Sequence, residues 1–281
     1  MMTDISRPVL RYHGGKFKLA KWIISHFPPH RIYTEVFGGA ASVLMQKPRS
    51  YAEVYNDKWD TVVNVFRCLR DPEKAEQLQQ QLILTPFSRT EFEQCGELSE
   101  ITDSVEKARR TILRSFAGFG SASTNAKHST GFRANSNRSG TTPAHDWANY
   151  PSHIQSFVER LRGVTIENRD YREVLTTNDG PETLHYIDPP YVHASRNMQR
   201  GNAAYACEMT DEDHVALAGA VNNLIGMVAI SGYDNDLYGE LFKDWQKVCC
   251  TGPFADGARE RTECLWMNYD PGQLKGQLKM F

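Results

Sequence analysis

The sequence lacks any apolar run close to the roughly 20 residues that a helix needs to cross a bilayer. We therefore expect no membrane span and no signal peptide. The chain has 281 residues, of which 40% are hydrophobic and 23% are charged, and these proportions are ordinary for a globular protein. This length allows one large hydrophobic core with an appended lobe.

Cysteine is scarce, and the six cysteines show no Cys-x-x-Cys spacing accompanied by ligand histidines. A zinc site is therefore not expected, and we predict no other metal. Cysteines of this kind are typical of reduced core residues, which predicts a cytoplasmic protein. Cys249 and Cys250 are neighbours on an apparent strand, where successive side chains point to opposite faces, so packing is their expected role.

The sequence also lacks the serine or threonine that a phosphate-binding loop requires after its lysine. Gly14-Gly15-Lys16 is followed by Phe17, whereas the motif needs Gly-x-x-x-x-Gly-Lys-Ser/Thr. A nucleoside-triphosphate loop is therefore excluded at this position. The segment instead precedes an amphipathic helix that the spacing of apolar residues predicts from Phe17 to Phe27.

Asp188-Pro189-Pro190-Tyr191 follows a strand-like run and is the motif with the clearest chemistry. An exocyclic amine is a poor nucleophile because its lone pair is delocalised into the ring. The Asp188 carboxylate and the Pro189 carbonyl can each accept one N–H of such an amine, since the two prolines hold the backbone extended and rigid. Tyr191 offers a flat face for an extruded base. The motif predicts methyl transfer to a nucleic-acid base; the alternative is a tight turn after a buried strand.

Two further segments predict a site for S-adenosylmethionine (SAM) as the methyl donor. Residues 31–43 have the pattern of a strand, a turn of small residues and a helix, and a cofactor can approach the backbone of such a turn closely. A second strand, 51–55, ends in Asn56-Asp57, at the point where a doubly wound sheet contacts ribose hydroxyls. Asp57 is therefore the expected ribose ligand, and capping of the next helix is the alternative role.

Strands and helices alternate from residue 10 to 70 and again from about residue 163, with a mainly helical stretch between them. This order predicts an α/β fold with a doubly wound sheet that is interrupted by a mainly helical recognition lobe. Taken with the base and SAM motifs above, it indicates a Rossmann-like SAM-dependent methyltransferase sheet with an inserted helical target-recognition lobe. In the insert, Ser88 is expected to cap a helix through Cys95, and a longer helix is expected from Ser104 to Phe116. The predicted parts are catalytic domain 1–70, recognition insert 71–162, catalytic domain 163–270 and flexible tail 271–281.

The insert contains the segment that we expect to contact DNA. The net charge of the chain is only −2, yet no Asp or Glu occurs between Lys107 and Arg138. Basic residues are interleaved with phenylalanines there, a pattern that suits a phosphate backbone and counterion release. The alternative is a solvated helix face followed by a polar loop. The expected DNA contacts in the insert are Arg109, Arg110, Arg114, Lys127, Arg133 and Arg138.

Five segments occur in a characteristic sequential order, namely 11–16, 35–40, 56–57, 188–191 and 261–266. Together they resemble the Dam-type, alpha-group DNA adenine-N6 methyltransferases. In that family the cofactor motifs come first, a target-recognition insert follows, and the Asp-Pro-Pro-Tyr half of the sheet comes last. The resemblance covers nearly the whole chain.

The resemblance implies roles for individual residues around SAM. Tyr12 and Lys16 are implied to lie beside its amino-acid end. Asp57 is implied to hold the ribose, and Asp170 to contact the adenine of the cofactor. The set expected to bind SAM is Tyr12, Lys16, Glu35, Phe37, Gly38, Gly39, Ala40, Asp57, Asp170 and Asp188.

The chain departs from the family pattern in two places. Ala41 stands where family members often have another glycine, which concerns the detail of the loop. The insert lacks the Asn-Gly-Leu-x-Arg-Tyr-Asn type of stretch associated with GATC-methylating members. We therefore do not expect GATC specificity, and the target sequence, like a partner restriction enzyme, stays open.

The residues and the resemblance together predict a SAM-dependent, site-specific DNA adenine-N6 methyltransferase that flips out its target base and transfers the methyl group directly. Cytosine-N4 transfer poses the same chemical problem, but Asp188 in place of a serine before the prolines favours adenine. RNA methylation is a weaker alternative. A non-catalytic DNA-binding relative is another, against which the intact Asp188, Asp57 and Lys16 argue. No metal is required, because SAM already carries an activated methyl group.

Two segments near the end of the chain carry further predictions. The polar stretch 193–206 is expected to close over a flipped base, with Arg196 contacting DNA and Tyr233 as a wall of the base pocket. The last five residues resemble the peptides by which bacterial replication proteins dock on the sliding clamp, although a chance match is the alternative. We expect a monomer in free solution. The residues that would contact the clamp are Gln277, Leu278, Met280 and Phe281.

Overall fold

The computed structural model describes residues 5–96, 98–119, 130–134, 141–195, 205–252 and 261–272. The chain divides into two units, each of them discontinuous in the sequence. The first unit comprises Met1–Phe17, Gly39–Gln46 and Trp59–Arg162, and the second comprises Lys18–Gly38, Lys47–Lys58 and Gly163–Phe281. All of the predicted insert, 71–162, belongs to the first unit.

The second unit is built on a single sheet. In chain order its strands are β1 Ile32–Glu35, β2 Ala52–Asn56, β3 Val164–Glu167, β4 Thr183–Ile187, β5 Met227–Tyr233, β6 Gln246–Gly252 and β7 Arg261–Met267. Within the described residues these seven strands have the order β3-β2-β1-β4-β5-β7-β6. Neighbours from β3 to β5 pair in parallel, whereas β7 is antiparallel to both β5 and β6. The order reverses between β1 and β4, the switch point of a doubly wound sheet, and the predicted Rossmann-like fold is confirmed.

The central strands are buried, as expected of a parallel sheet whose two faces are both covered. Every residue of β4 is buried. Leu217 and Val221 join Ile187, Ile230 and Trp266 in one buried cluster of this unit. The helices of the second unit are α1 Ala20–Ser25, α9 Tyr171–Asn178, α10 Asp211–Asn222 and α11 Asp236–Leu241. Helix α1 is shorter than the helix that we predicted from Phe17 to Phe27.

The first unit is helical in its described part. Its helices are α2 Ser42–Gln46, α3 Asp60–Arg70, α4 Pro72–Leu84, α5 Arg89–Gln94, α6 Ser104–Ala117, α7 Pro143–Ala148 and α8 Ile154–Leu161. The predicted cap at Ser88 and the predicted helix from Ser104 are confirmed, and Asp103 caps the latter. Among the described residues, no helix combines the length and the apolar character that crossing a membrane requires.

The prediction that the cysteines are reduced is wrong for one pair. Cys249 on β6 and Cys264 on β7 lie directly opposite each other in the antiparallel register, with 4.1 Å between their Cα atoms, and form a disulfide. No local pattern indicates this pairing, because the pairing depends on the register of two strands. Cys250 is a free thiol. Successive side chains along a strand point to opposite faces, so Cys250 points away from the face that carries the Cys249–Cys264 pair.

A buried polar cluster connects β1 with β4 inside the second unit. His185 Nδ1 lies 2.8 Å from Thr34 Oγ1, and its Nε2 lies 3.4 Å from Asp179 Oδ1. The Asp179 carboxylate accepts backbone N–H groups from Ile225 and Gly226 at 2.9 and 2.8 Å. Burial lowers the pKa of His185, and Asp179 offsets only part of this effect. The imidazole is therefore held neutral in the folded protein.

We expect this histidine to make stability depend on pH. As pH falls, His185 of the unfolded chain takes up a proton at about pH 6.5, whereas His185 of the folded chain does so only at a lower pH. The free energy of unfolding should therefore fall as pH decreases from that value towards the lower folded-state pKa of His185. The substitution His185→Asn should flatten this slope, measured by urea unfolding across the same pH range. Identical slopes for the two proteins would contradict the assignment.

Candidate functional site

The carboxyl ends of the parallel strands lie at one edge of the sheet in the second unit. The strand registers pair Glu35 with both Tyr55 and Tyr186, and Ile187 with Ile230. The loops that follow these strands therefore leave the sheet side by side, at the switch point where open α/β sheets bind ligands. The second-unit residues predicted for catalysis and cofactor binding lie on these loops or at the strand ends.

Asp188 leaves β4 at the level of Ser231 on β5. The Ser231 hydroxyl donates to Asp188 Oδ1 at 2.7 Å, and the Tyr186 hydroxyl lies 3.0 Å from Ser231 Oγ. The Asp188 carboxylate is half-buried, and Pro189 after it is buried. One carboxylate oxygen is thus engaged from within the sheet.

Tyr191 is held at the other end of the same tetrapeptide. Its hydroxyl donates to Glu263 Oε2 on β7 at 2.7 Å, and its ring contacts Tyr233 edge-on, with 4.6 Å between the ring centroids. Burial raises the pKa of Tyr191, and Asp188 and Glu263 raise it further, so the phenol remains a donor. The side chain is only 4% exposed. A base can therefore reach this ring only when its neighbours move.

Asn56 connects the loops that follow β1, β2 and β3. Its Nδ2 donates to the carbonyls of Val36 and Arg169 at 2.9 and 3.2 Å. Its Oδ1 accepts the Arg169 N–H at 2.8 Å, and its own carbonyl accepts the Gly38 N–H at 2.8 Å. Asn56 is 1% exposed, so these bonds replace contacts with water. The side chain of Asn56 therefore holds the loops after β1 and β3 against the end of β2.

The loop after β1 passes so close to β2 that only glycine fits at position 38. A Cβ atom on Gly38 would lie 2.2 Å from Cε2 of Tyr55, inside van der Waals contact. Glu35, just before this loop, is buried and accepts the Tyr33 hydroxyl at 2.7 Å. Phe37 packs against Tyr171, with 5.1 Å between ring centroids. The absence of a side chain at residue 38 therefore defines the close approach of the two strand ends.

The two carboxylates predicted to contact the cofactor's nucleoside lie in different surroundings. Asp57 is partly exposed, and its carbonyl accepts Asn168 Nδ2 at 2.8 Å. Asp170 caps α9 through the Arg172 N–H at 3.0 Å and forms an ion pair with the Arg172 guanidinium at 2.8 Å. This arginine lowers the pKa of Asp170 to about 2. Asp170 is therefore ionised at neutral pH and already serves as a helix cap.

Four of the predicted cofactor residues, Tyr12, Lys16, Gly39 and Ala40, belong to the first unit. Lys16 is buried, and its Nζ donates to the Gly14 carbonyl at 2.5 Å. Gly39 has a φ of 47°, and a Cβ there would lie 2.9 Å from the Tyr12 ring. Ala41, the departure from the family pattern, has a φ of 52°. A left-handed conformation of this kind favours glycine, which has no Cβ atom.

The arginines of α6 that we predicted to contact DNA have partners inside the first unit. Arg109 donates to both carboxylate oxygens of Glu106 at 2.6 and 2.7 Å, and also to Glu91 at 3.2 Å. Arg110 also donates to Glu106, at 2.6 Å. Arg114 is 5% exposed and lies over the Phe92 ring. Glu91 and Glu106 precede the acid-free stretch, so counting charges within that stretch did not reveal these ion pairs.

The remaining predicted contacts are placed only in part. Arg133 is half-buried, and its backbone N–H donates to the Ala117 carbonyl at 2.7 Å. Lys127, Arg138, Arg196 and most of the stretch 193–206 lie outside the described residues. So do the tail residues Gln277, Leu278, Met280 and Phe281, and docking on the sliding clamp stays a prediction, as does the monomeric state. Within the described ranges, no group of three or more His, Cys, Asp or Glu is placed to hold a metal ion.

Four polar residues that shape the site were not predicted from the sequence, namely Asn56, Tyr186, Ser231 and Glu263. Asn56 and Glu263 lie within segments 56–57 and 261–266, which the sequence analysis singled out. A charged residue beside the apolar run Cys264 to Met267 was a signal that Glu263 has a buried hydrogen-bond partner. Ser231 and Tyr186 had no comparable signal. Their roles depend on which strands are neighbours and in which register.

Comparison with known proteins gives one family match. The model for D12 class N6 adenine-specific DNA methyltransferase matches residues 12–250. This range includes the first unit's helices, the loops after β1 to β5 and the Asp188–Tyr191 tetrapeptide. A search of curated proteins found none that matches the chain.

The close approach at Gly38 leads to a stability prediction. Gly38→Ala should lower the free energy of unfolding by about 1–3 kcal/mol, because the methyl group overlaps the Tyr55 ring. Gly219→Ala is a matched control, since its Cβ would meet nothing within 4 Å in the middle of α10, and it should raise stability by about 0.5–1 kcal/mol. Thermal and urea unfolding of the three proteins measure both effects. Unchanged stability of Gly38→Ala would contradict the packing described.

Proposed function

Because the chain belongs to the D12 class N6 adenine-specific DNA methyltransferase family, we propose that its second unit binds SAM and carries out methyl transfer at the Asp188–Tyr191 loop. The activity follows from the family: the protein transfers a methyl group to N6 of adenine in DNA. The family is adenine-specific, so cytosine-N4 transfer is not favoured. What we propose is which residues of this chain perform the reaction.

Two features of the carboxyl edge of the sheet support the proposal that SAM binds there. The missing side chain at Gly38 lets the loop after β1 lie against Tyr55, and Asn56 fixes that loop relative to the ends of β2 and β3. When bound, SAM supplies an activated methyl group on a cationic sulfur. Glu35, Asp57 and Asp188 place carboxylates at this edge, as suits a cationic ligand.

We propose the same roles for the cofactor residues as the resemblance implies. Asp57 accepts the ribose hydroxyls, and Asp170, which Arg172 keeps ionised, accepts from the adenine amine of SAM. Glu35, Phe37 and Gly38 line the proposed site in the second unit. For the first-unit residues Tyr12, Lys16, Gly39 and Ala40, the resemblance is the whole of the support.

Asp188 is the proposed acceptor for the target amine. A carboxylate that accepts N–H from N6 localises the nitrogen lone pair and offsets the positive charge that develops during transfer. The adjoining Pro189 carbonyl accepts the second N–H, because Pro189 and Pro190 restrict the backbone. The observation that carries this proposal is the fixed carboxylate of Asp188, bound by Ser231 at 2.7 Å, at the switch point of the sheet.

We propose that the target adenine leaves the DNA duplex to reach Asp188. The amine of a paired adenine is engaged in the helix, so enzymes that modify a base extrude it. Tyr191 then stacks on the base after its contact with Tyr233 opens. Pro190 between them keeps the distance from Asp188 to Tyr191 short and rigid.

The DNA contacts that we propose follow from the positions of the basic residues. Arg109, Arg110 and Arg114 make ion pairs or pack within the first unit, so binding a phosphate requires them to share or exchange a partner. Arg133 is the other candidate in the described residues, and Lys127, Arg138 and Arg196 complete the proposed set. Each phosphate contact should make affinity fall with salt.

The substitution Asp188→Asn tests the catalytic role. We expect the rate of transfer of labelled methyl from SAM to adenine-N6 in unmethylated DNA to fall by at least about 100-fold, because the amide does not offset the developing charge. Asp244→Asn, an exposed acid just before β6, is the matched control and should leave the rate unchanged. Nucleoside analysis identifies the product. A fully active Asp188→Asn protein would refute the assignment.

The substitution Asp57→Asn tests the cofactor site independently of the transfer step. Loss of a charged acceptor should weaken SAM binding about tenfold or more, measured by titration calorimetry without DNA. Asp244→Asn again serves as the control. If Asp57→Asn binds SAM as tightly as the natural protein, Asp57 is not the ribose ligand.

A further inference from the structure

A chain of three polar side chains runs from the interior of the sheet to Asp188. Tyr186 on β4 is 1% exposed and Ser231 on β5 is 2% exposed. The Tyr186 hydroxyl lies 3.0 Å from Ser231 Oγ, and Ser231 Oγ lies 2.7 Å from Asp188 Oδ1. The pairing of Ile187 with Ile230 brings the three groups into line, because it sets Asp188 level with Ser231.

The number of hydroxyl protons fixes the direction of both hydrogen bonds. A serine hydroxyl carries one proton, and an ionised carboxylate can only accept. Since Ser231 gives its proton to Asp188, Tyr186 must donate to Ser231. Tyr186 stays protonated because burial raises its pKa, and Asp188 raises it further. The three residues therefore form a one-way relay in which Tyr186 donates to Ser231 and Ser231 donates to Asp188.

We propose that Tyr186 and Ser231 are positioning residues for methyl transfer and that they act in series on the Asp188 carboxylate. The inference rests on the proposed catalytic role of Asp188. A carboxylate at the end of β4 can rotate about its side-chain torsions, and the Ser231 hydrogen bond selects one orientation. Tyr186 orients the Ser231 hydroxyl in turn, and consecutive hydrogen bonds of this kind strengthen each other.

A relay in series has a kinetic signature that a contribution to folding alone would not have. Ser231→Ala should lower kcat about tenfold or more, because a misdirected carboxylate no longer meets the amine. KM for DNA and the Kd for SAM should change little, since neither residue is proposed to touch DNA or cofactor. Tyr186→Phe should lower kcat by a smaller factor, because Ser231 keeps its bond to Asp188 but loses its orienting donor.

The double variant gives the sharpest test. If Tyr186 acts only through Ser231, then Tyr186→Phe costs nothing further once Ser231 is alanine, and Tyr186→Phe/Ser231→Ala has the kcat of Ser231→Ala. Ser231→Thr keeps the hydroxyl and should restore most of kcat. Tyr238→Phe is the matched control, because it removes a buried tyrosine hydroxyl that bonds to His214 at 3.0 Å, and it should leave kcat near that of the natural protein.

The assay is single-turnover and steady-state transfer of labelled methyl to unmethylated DNA, with unfolding curves for every variant. If Ser231→Ala has the same kcat as the natural protein, the proposal is overturned. It is also overturned if the kcat decreases of Tyr186→Phe and Ser231→Ala multiply in the double variant. If the Ser231→Ala protein does not fold, Tyr186→Phe and Ser231→Thr still test the proposal. A kcat that Tyr186→Phe leaves unchanged overturns the relay.

Asp188→Asn in the same assay separates this proposal from the one on which it rests. If Asp188→Asn keeps its activity, the proposed function of Asp188 fails. If Asp188→Asn is inactive while Ser231→Ala keeps the natural kcat, only the relay fails.

Discussion

The parallel register of β1, β4 and β5 is the constraint on which the rest of the second unit depends. Side chains alternate along a strand, so a slip of one residue between β4 and β5 would turn Ser231 away from Asp188. The same register brings the loops after β1 and β4 together at the switch point. Because both faces of these strands are covered, many buried contacts hold the register. The residues at which the loops leave the sheet are therefore fixed in position.

Polar side chains buried next to this edge connect the strands to the loops by hydrogen bonds and so fix the loops. Asn56, Ser231 and Glu263 each cost free energy to remove from water, and each recovers it through hydrogen bonds to a loop. Apolar side chains at these positions would make none of these hydrogen bonds, and the loops would lose these attachments to the sheet. The site therefore has rigid support beneath Asp188 and Tyr191, while the ring of Tyr191 remains covered until its neighbours move.

The sequence predicted the parts of the molecule that depend on local pattern. Apolar runs followed by small or acidic residues identified β1, β2 and β4 with the loops that follow them, and Ser88 marked the start of α5. Contacts between distant residues were missed, because no local pattern encodes them. The Cys249–Cys264 disulfide depends on the register of two strands, and the ion pairs of Arg109 depend on how α5 and α6 pack. The same limit hid Ser231, whose partner is 43 residues away.

Ala41 shows that a loop can hold a left-handed turn at a residue other than glycine. An alanine at a φ of 52° costs about 1–2 kcal/mol more than a glycine would, and the side chain is fully buried. Its carbonyl accepts the Met45 N–H at 2.9 Å and thereby begins α2. The surroundings, not the residue, therefore dictate the turn. A β-branched side chain at residue 41 would combine the same backbone penalty with a larger volume in a fully buried position, so the turn leaves little choice beyond glycine and alanine.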